Sequence, residues 1–226
     1  MESWLNEIMP NVMNKTPELW KSTQQTLYMT FYSGIISFVI GLIIGIVLIA
    51  TGPKGIAKNK LIYSILDKVI NLFRSIPFVI LLASLIPLTR LVVGSAIGTK
   101  GAILPLIFGT VPFYARQVET ALAEINHGLV EAAIAMGTSP IGVIFRVYLK
   151  ESIPSLVRVT VITSISLIGL TAMAGAIGGG GLGDFAIRYG HQRNQADITY
   201  VTVIMMLLMV MIIQSVGNII IKKTTH

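Results

Sequence analysis

Apolar positions in this chain run on for whole segments, interrupted at intervals by short charged stretches, instead of alternating at a strand's period or marking one face of a helix. No residue from Ser22 to Pro53 is charged, and Tyr28 to Ala50 is long enough to cross a bilayer, which takes about 20 apolar residues. The same pattern returns from Val159 to Gly183 and from Ile198 to Ile221, the last closed by Lys222 and Lys223. Two shorter runs lie between: Ser75 to Thr89, bounded by Arg74 and Arg90, and Gly101 to Ala115, bounded by Lys100 and Arg116. Each is short for a span unless the flanking cations snorkel towards water. Pro77, Pro87, Pro105 and Pro112 interrupt backbone bonding within them, so the two runs read either as spans or as a re-entrant pair. The pattern predicts an all-α polytopic membrane protein with one transmembrane domain over residues 1–226 and five spans, near 26–51, 73–91, 101–118, 156–178 and 198–221.

The polar stretches set the sidedness. Thr51 to Lys60 holds three lysines and no acid, the mark of a cytoplasmic loop, and the same rule places Lys222 and Lys223 inside. Five spans ending inside start outside, which makes Asp184 to Asp197 an external loop. Leu61 to Arg74 is an amphipathic approach, and Tyr114 to Ile125, with Arg116, Glu119 and Glu124, extends the third span as a cytoplasmic stalk. Met1 to Gln25 is polar and lacks an apolar h-region, so no cleavable signal is expected. Ser33, Ser37, Gly41 and Gly45 recur every four residues in the first span, a spacing that admits close helix contact in lipid.

Composition agrees: 54% of the 226 residues are hydrophobic and 12% charged, where soluble domains carry roughly a quarter charged. Without cysteine the chain has no disulfide, thiolate metal ligand or Cys nucleophile. A formal net charge of +7 fits cytoplasmic loops better than nucleic acid.

The most informative stretch is Asn126 to Pro154. Asn126-His127-Gly128 stops one helix, and Leu129 to Met136 forms another, with Glu131 in its first turn and Gly137 at its end. Ser139-Pro140 is an N-cap and first-turn signal for a second short helix carrying Val143, Ile144, Val147 and Tyr148. Such a pair is either a loop packed on its own domain or a docking element. Ala132, Ala133 and Gly137 would let another protein approach the backbone, with Glu131 as an acceptor at the rim.

Glu131-Ala132-Ala133, then Gly137, then Val147-Tyr148-Leu149 resembles the cytoplasmic signature of binding-protein-dependent ABC importer permeases. Val147 stands at that signature's Ile and Lys150 at its Pro, with Pro154 as the later helix breaker. Together with F-R-S-I-P-F-V-I-L-L and A-M-A-G-A-I-G-G-G-G-L-G, the run E-A-A-I-A-M-G-T-S-P is similar to the permeases of bacterial methionine importers over roughly Thr26 to Ile221. The resemblance implies a type I importer permease in the bacterial cell membrane, a homodimer with two copies of a cytoplasmic ATPase and an external substrate-binding lipoprotein. It implies import of methionine, D- or L-, or of another amino acid or small nutrient. ATP-Mg would sit on the ATPase, with no cofactor, catalytic residue or metal in this chain. Coupling to the ATPase would fall to Glu131, Ala132, Ala133, Gly137 and Pro140.

Other chemistries fit less well. Gly178 to Gly181 is followed by no Lys-Ser/Thr and preceded by no strand, so it is neither a P-loop nor a dinucleotide fingerprint. His127, His191 and His226 stand far apart, without ligand spacing. The helix-turn-helix look of 116–150 lies between spans and carries almost as many acids as bases, which does not suit DNA. An ion-coupled secondary transporter or channel is the alternative from another class. Such proteins place ionisable groups inside the bilayer, and all ten acids here lie outside the apolar cores. The second half of span four is rich in small residues that leave room. Met173, set among Thr171 and Gly175, reads either as packing between spans four and five or as a gate projecting into that room.

Overall fold

A computed structural model describes residues 8–224, and among them every regular element is helical. In order these are α1 (Pro10–Met13), α2 (Thr16–Thr51), α3 (Lys60–Ser75), α4 (Phe78–Ser84), α5 (Ile86–Val93), α6 (Gly98–Ala123), α7 (His127–Ala135) and α8 (Pro140–Val143). A wide π-type turn over Ile144–Tyr148 leads to α9 (Leu149–Glu151) and α10 (Ile153–Ala174). Similar wide turns at Gly175–Gly179 and Ala186–His191 flank α11 (Gly181–Phe185), and α12 (Ala196–Thr224) follows.

By length and composition α2, α12 and α10 with the turn after it can each cross a membrane. α5 and α6 qualify only together, and they are bent by 119° at their break. The run expected as the second span is divided. Ile76 is extended at ψ 123°, as the residue before a proline must be, and Pro77 opens α4. A second break at Leu85 precedes Ile86-Pro87, where α5 begins with a proline that needs no intrahelical donor. The first span begins earlier than its apolar run, since α2 starts at Thr16 with Glu18 in its first turn. The stalk is a direct continuation of α6, ending at Ala123.

The chain clusters into two compact units, the first of residues 1–35, 77–107 and 164–213, the second of 36–76, 108–163 and 214–226. In the first unit Val12, Phe185 and Ile198 form a buried centre, with Leu19 and Tyr189 packed on it. Asn11 ties the start of the chain to α12, its backbone N–H and Nδ2 donating to Asp197 at 3.0 and 3.1 Å.

In the second unit α2 lies against α6, and the ladder of small residues explains how. A Cβ on Gly41 would stand 2.8 Å from the Tyr114 ring, and one on Gly45 2.6 Å from Val118 Cβ. Tyr114 and Val118 belong to the buried cluster that also holds Leu122, Val130, Val143 and Tyr148. α3 joins the unit through Ile70 and through a polar clamp. Arg116 on α6 donates to Asp67 Oδ1 and to Glu119 Oε2, both at 2.5 Å. Asn71 Nδ2 braces the other Asp67 oxygen at 3.1 Å. Tyr63 of α3 faces this clamp, and burial first, then the Glu119 carboxylate, raise its pKa and keep the phenol neutral.

Candidate coupling and translocation sites

Local punctuation builds the pair of short helices expected to dock a partner. The Asn126 side chain accepts from Gly128 N–H at 2.9 Å, so Asn126 begins α7 as well as ending the stalk, and the helix starts at His127, two residues ahead of the expectation. At the far end Gly137 takes φ +80°. Its N–H donates to Ile134 O at 2.9 Å and that of Thr138 to Ala133 O at 3.0 Å, the paired bonds of a Schellman turn. Ser139 Oγ then accepts from Gly142 N–H at 3.2 Å, and Pro140 occupies the first turn of α8. Pro154 does not break the second helix; that break falls at Ser152, and Pro154 lies in the first turn of α10.

One face of this pair is buried. Val130, Ala133, Val143 and Tyr148 enter the core of the second unit, and burial pushes the Tyr148 hydroxyl's pKa up. The two adjacent alanines therefore do different jobs: Ala132 is exposed, whereas Ala133 packs inward and cannot meet a partner. A 3.6-residue period separates neighbours by about 100°, which is why they part. On the open face stand Glu131, with 72% of its side chain exposed and His127 Nδ1 at 3.4 Å, the turn at Gly137, and Pro140. Around them Met136 (78% exposed), Ile141 and Phe145 also face outward, and sequence reasoning overlooked these three. Phe145 follows Ile144 of the expected series, and a step of about 100° carries it off that face, whereas nothing in their spacing marked Met136 or Ile141.

The glycine-rich segment of the first unit differs from its expectation. α10 ends at Ala174, and the wide turn after it carries φ −115° at Ile177 and +95° at Gly178. The chain then doubles back. A Cβ on Gly175 would lie 2.6 Å from both Gly180 O and Asp184 N, and Gly183 rests against the Ala172 backbone. The small residues thus admit returning backbone, and the room expected there is filled. Thr171 is buried, its hydroxyl donating to Ile168 O at 2.7 Å. Met173 is 42% exposed and lies off that packed face.

Two residues that the sequence did not single out hold this segment. Gly181 N–H donates to Gln25 Oε1 at 2.9 Å and Leu182 N–H to Thr26 Oγ1 at 2.8 Å, so α2 supplies the acceptors that the start of α11 lacks. Nothing in their spacing foretold it. His226 falls outside the described residues.

Residues 37–225 match the model of the binding-protein-dependent transport system inner membrane component family. The chain belongs to that family. It is 44% identical over 205 residues to the probable D-methionine transport system permease protein MetI of Vibrio cholerae, covering 91% of each chain. To the methionine import system permease protein MetP of Bacillus subtilis it is 46% identical over 211 residues, covering 93% of this chain and 94% of that one. Among solved structures, an inward-facing conformation of the MetNI methionine ABC transporter superposes with a TM-score of 0.92 at 42% identity, over 94% of this chain and 99% of the matched one.

Proposed function

We propose that the chain is the permease subunit of an ATP-driven importer of methionine, as D- or L-isomer. It works as a homodimer in the bacterial cell membrane with two copies of a cytoplasmic ATPase, which carry ATP-Mg, and with an external binding lipoprotein. The amino end is outside and the carboxyl end cytoplasmic. The polypeptide crosses five times, α4 and α5 taking the place of the second span.

The observation that carries this reading is the exposed face of α7 and α8 in a family member whose relatives are named for methionine. A short helix pair anchored by Val130, Ala133 and Val143, with Glu131, Ala132, Gly137 and Pro140 outward, has the form of a part built to be pushed by another protein. Ala132 and the turn at Gly137 permit close approach, Met136, Ile141 and Phe145 supply apolar contact, and Glu131 accepts at the edge. Thr171 and Gly175 shape the end of α10 from which Met173 projects, and Met173 from two subunits related by a two-fold axis closes the pathway. The test is reconstitution in liposomes with the partner ATPase and binding protein. Methionine is expected to stimulate ATP hydrolysis and uptake above other amino acids. Uptake driven by an ion gradient without the ATPase would overturn the reading.

A further inference from the structure

We infer that Lys15, Arg188 and Arg193, gathered round the ring of Tyr189, are a docking patch for an acidic surface of the external binding protein. The inference rests on the proposed function for its sidedness and its partner. Lys15 Nζ lies 4.6 Å, Arg188 Cζ 4.8 Å and Arg193 Cζ 5.1 Å from the ring centroid. The three charges are therefore within about 10 Å of one another, roughly one Debye length at 0.1 M salt, and they repel. The ring is a fixed support, since Tyr189 packs 5.3 Å from the fully buried Phe185. It attracts each cation through its quadrupole.

Among the described residues the same unit holds three acids, Glu18, Asp184 and Asp197, and Glu18, at the start of α2, forms no ion pair. Asp184 pairs with Arg188 at 2.7 Å, while Asp197 is engaged by Asn11. Among the described residues neither Lys15 nor Arg193 has an ion pair. Cations on an external face also run against the usual distribution of Lys and Arg, which concentrates them inside. Lys15 precedes α2 and Arg193 precedes α12, and each of those helices exposes an aromatic in its early turns, Trp20 and Tyr200, of the kind that settles at headgroup level. The patch thus stands just beyond the lipid boundary. Mobile lipid headgroups are met well enough by flexible lysines, whereas two arginine forks held on an aromatic face suit carboxylates fixed on a folded surface. Charges of this kind act chiefly on the rate of encounter.

The test uses the intact permease–ATPase complex in phosphatidylcholine nanodiscs, titrated with its purified binding protein. The pair of substitutions Lys15→Glu and Arg193→Glu should weaken binding about 10-fold or more at low salt, mostly through the association rate, and flatten its salt dependence. Lys15→Gln with Arg193→Gln should fall between, with assembly and basal ATP hydrolysis unchanged. Unaltered affinity in both pairs overturns the patch, and if methionine still stimulates hydrolysis the proposed function stands without it. An effect seen only after phosphatidylglycerol is added, with binding-protein affinity unchanged in neutral lipid, would make this a lipid site and also overturn the inference. A cysteine at position 193 that reacts only from the cytoplasmic side would instead overturn the sidedness on which both readings depend.

Discussion

At the scale of single residues, the missing side chains decide as much as those present. Gly45 stands where a Cβ would meet Val118 Cβ at 2.6 Å and Ala115 O at 2.8 Å, and the second of these is backbone that cannot swing away. Gly45→Ala is therefore expected to cost about 1–3 kcal/mol as overpacking, read as a fall in the melting temperature of the purified complex. Gly169→Ala, with no atom within 4 Å of its Cβ, is the control and should be neutral or slightly stabilising, because alanine favours the helix by roughly 0.5–1 kcal/mol. Met173 poses the opposite question. A well-packed core methionine loses about 2–5 kcal/mol on truncation, but Met173 is 42% exposed and this chain alone gives it no such packing. Met173→Ala should leave the melting temperature nearly unchanged while raising solute leak in proteoliposomes. A large loss of stability with no leak would return Met173 to the packing role.

At the scale of elements, the clamp between α3 and α6 is the feature with most at stake. Arg116 is about three-quarters buried at its side chain, and it answers two carboxylates, Asp67 on α3 and Glu119 one turn along its own helix. Removing the arginine leaves two acids beside Tyr63 without the cation they share, whereas removing Asp67 leaves Arg116 with Glu119. The prediction is asymmetric: Arg116→Ala costs more than Asp67→Asn, and the double-mutant cycle returns a coupling of about 1–3 kcal/mol for the pair. Equal single costs with no coupling would reduce the clamp to a surface ion pair, worth about 0–1 kcal/mol. What the sequence disclosed about elements follows the range of the interactions that make them. Asn126, Gly137 and Ser139 act on groups two to five positions away, so the start of the helix pair and its central turn were legible to within two residues, while its far end, expected at Pro154, was not. Long spans were legible from run length. The division of residues 75–89 was only half so, since Pro77 and Pro87 marked the breaks while apolar content argued for continuity. The return of the glycine segment was not legible at all. It depends on Gln25 and Thr26, each 156 positions from the N–H it accepts, and on backbone contacts that leave no periodic trace.

At the scale of the whole molecule, the question is what covers the apolar surface that α7 and α8 turn outward. Met136, Ile141 and Phe145 are flanked by Glu131, Arg146 and Lys150, all of them exposed, so this face belongs in water and not in hydrocarbon. Exposed apolar side chains set in a charged rim mark a protein interface. A single cysteine at position 138, introduced into a chain that has none, should resist an impermeant maleimide in intact cells and react once the ATPase has been stripped from inverted vesicles. Phe145→Ala should lower retention of the ATPase on purification about tenfold, as loss of a central aromatic contact does, with membrane insertion and melting of the isolated permease unchanged. Gly137→Leu tests the same face by another route. Space is open around Gly137, but its φ of +80° costs an ordinary residue about 1–2 kcal/mol, enough to tilt α8 against α7. That variant should hold the ATPase yet uncouple hydrolysis from uptake, because the contact persists while its geometry changes. Full coupling with leucine at 137, or outside labelling at 138, would remove α7 and α8 from the energy path.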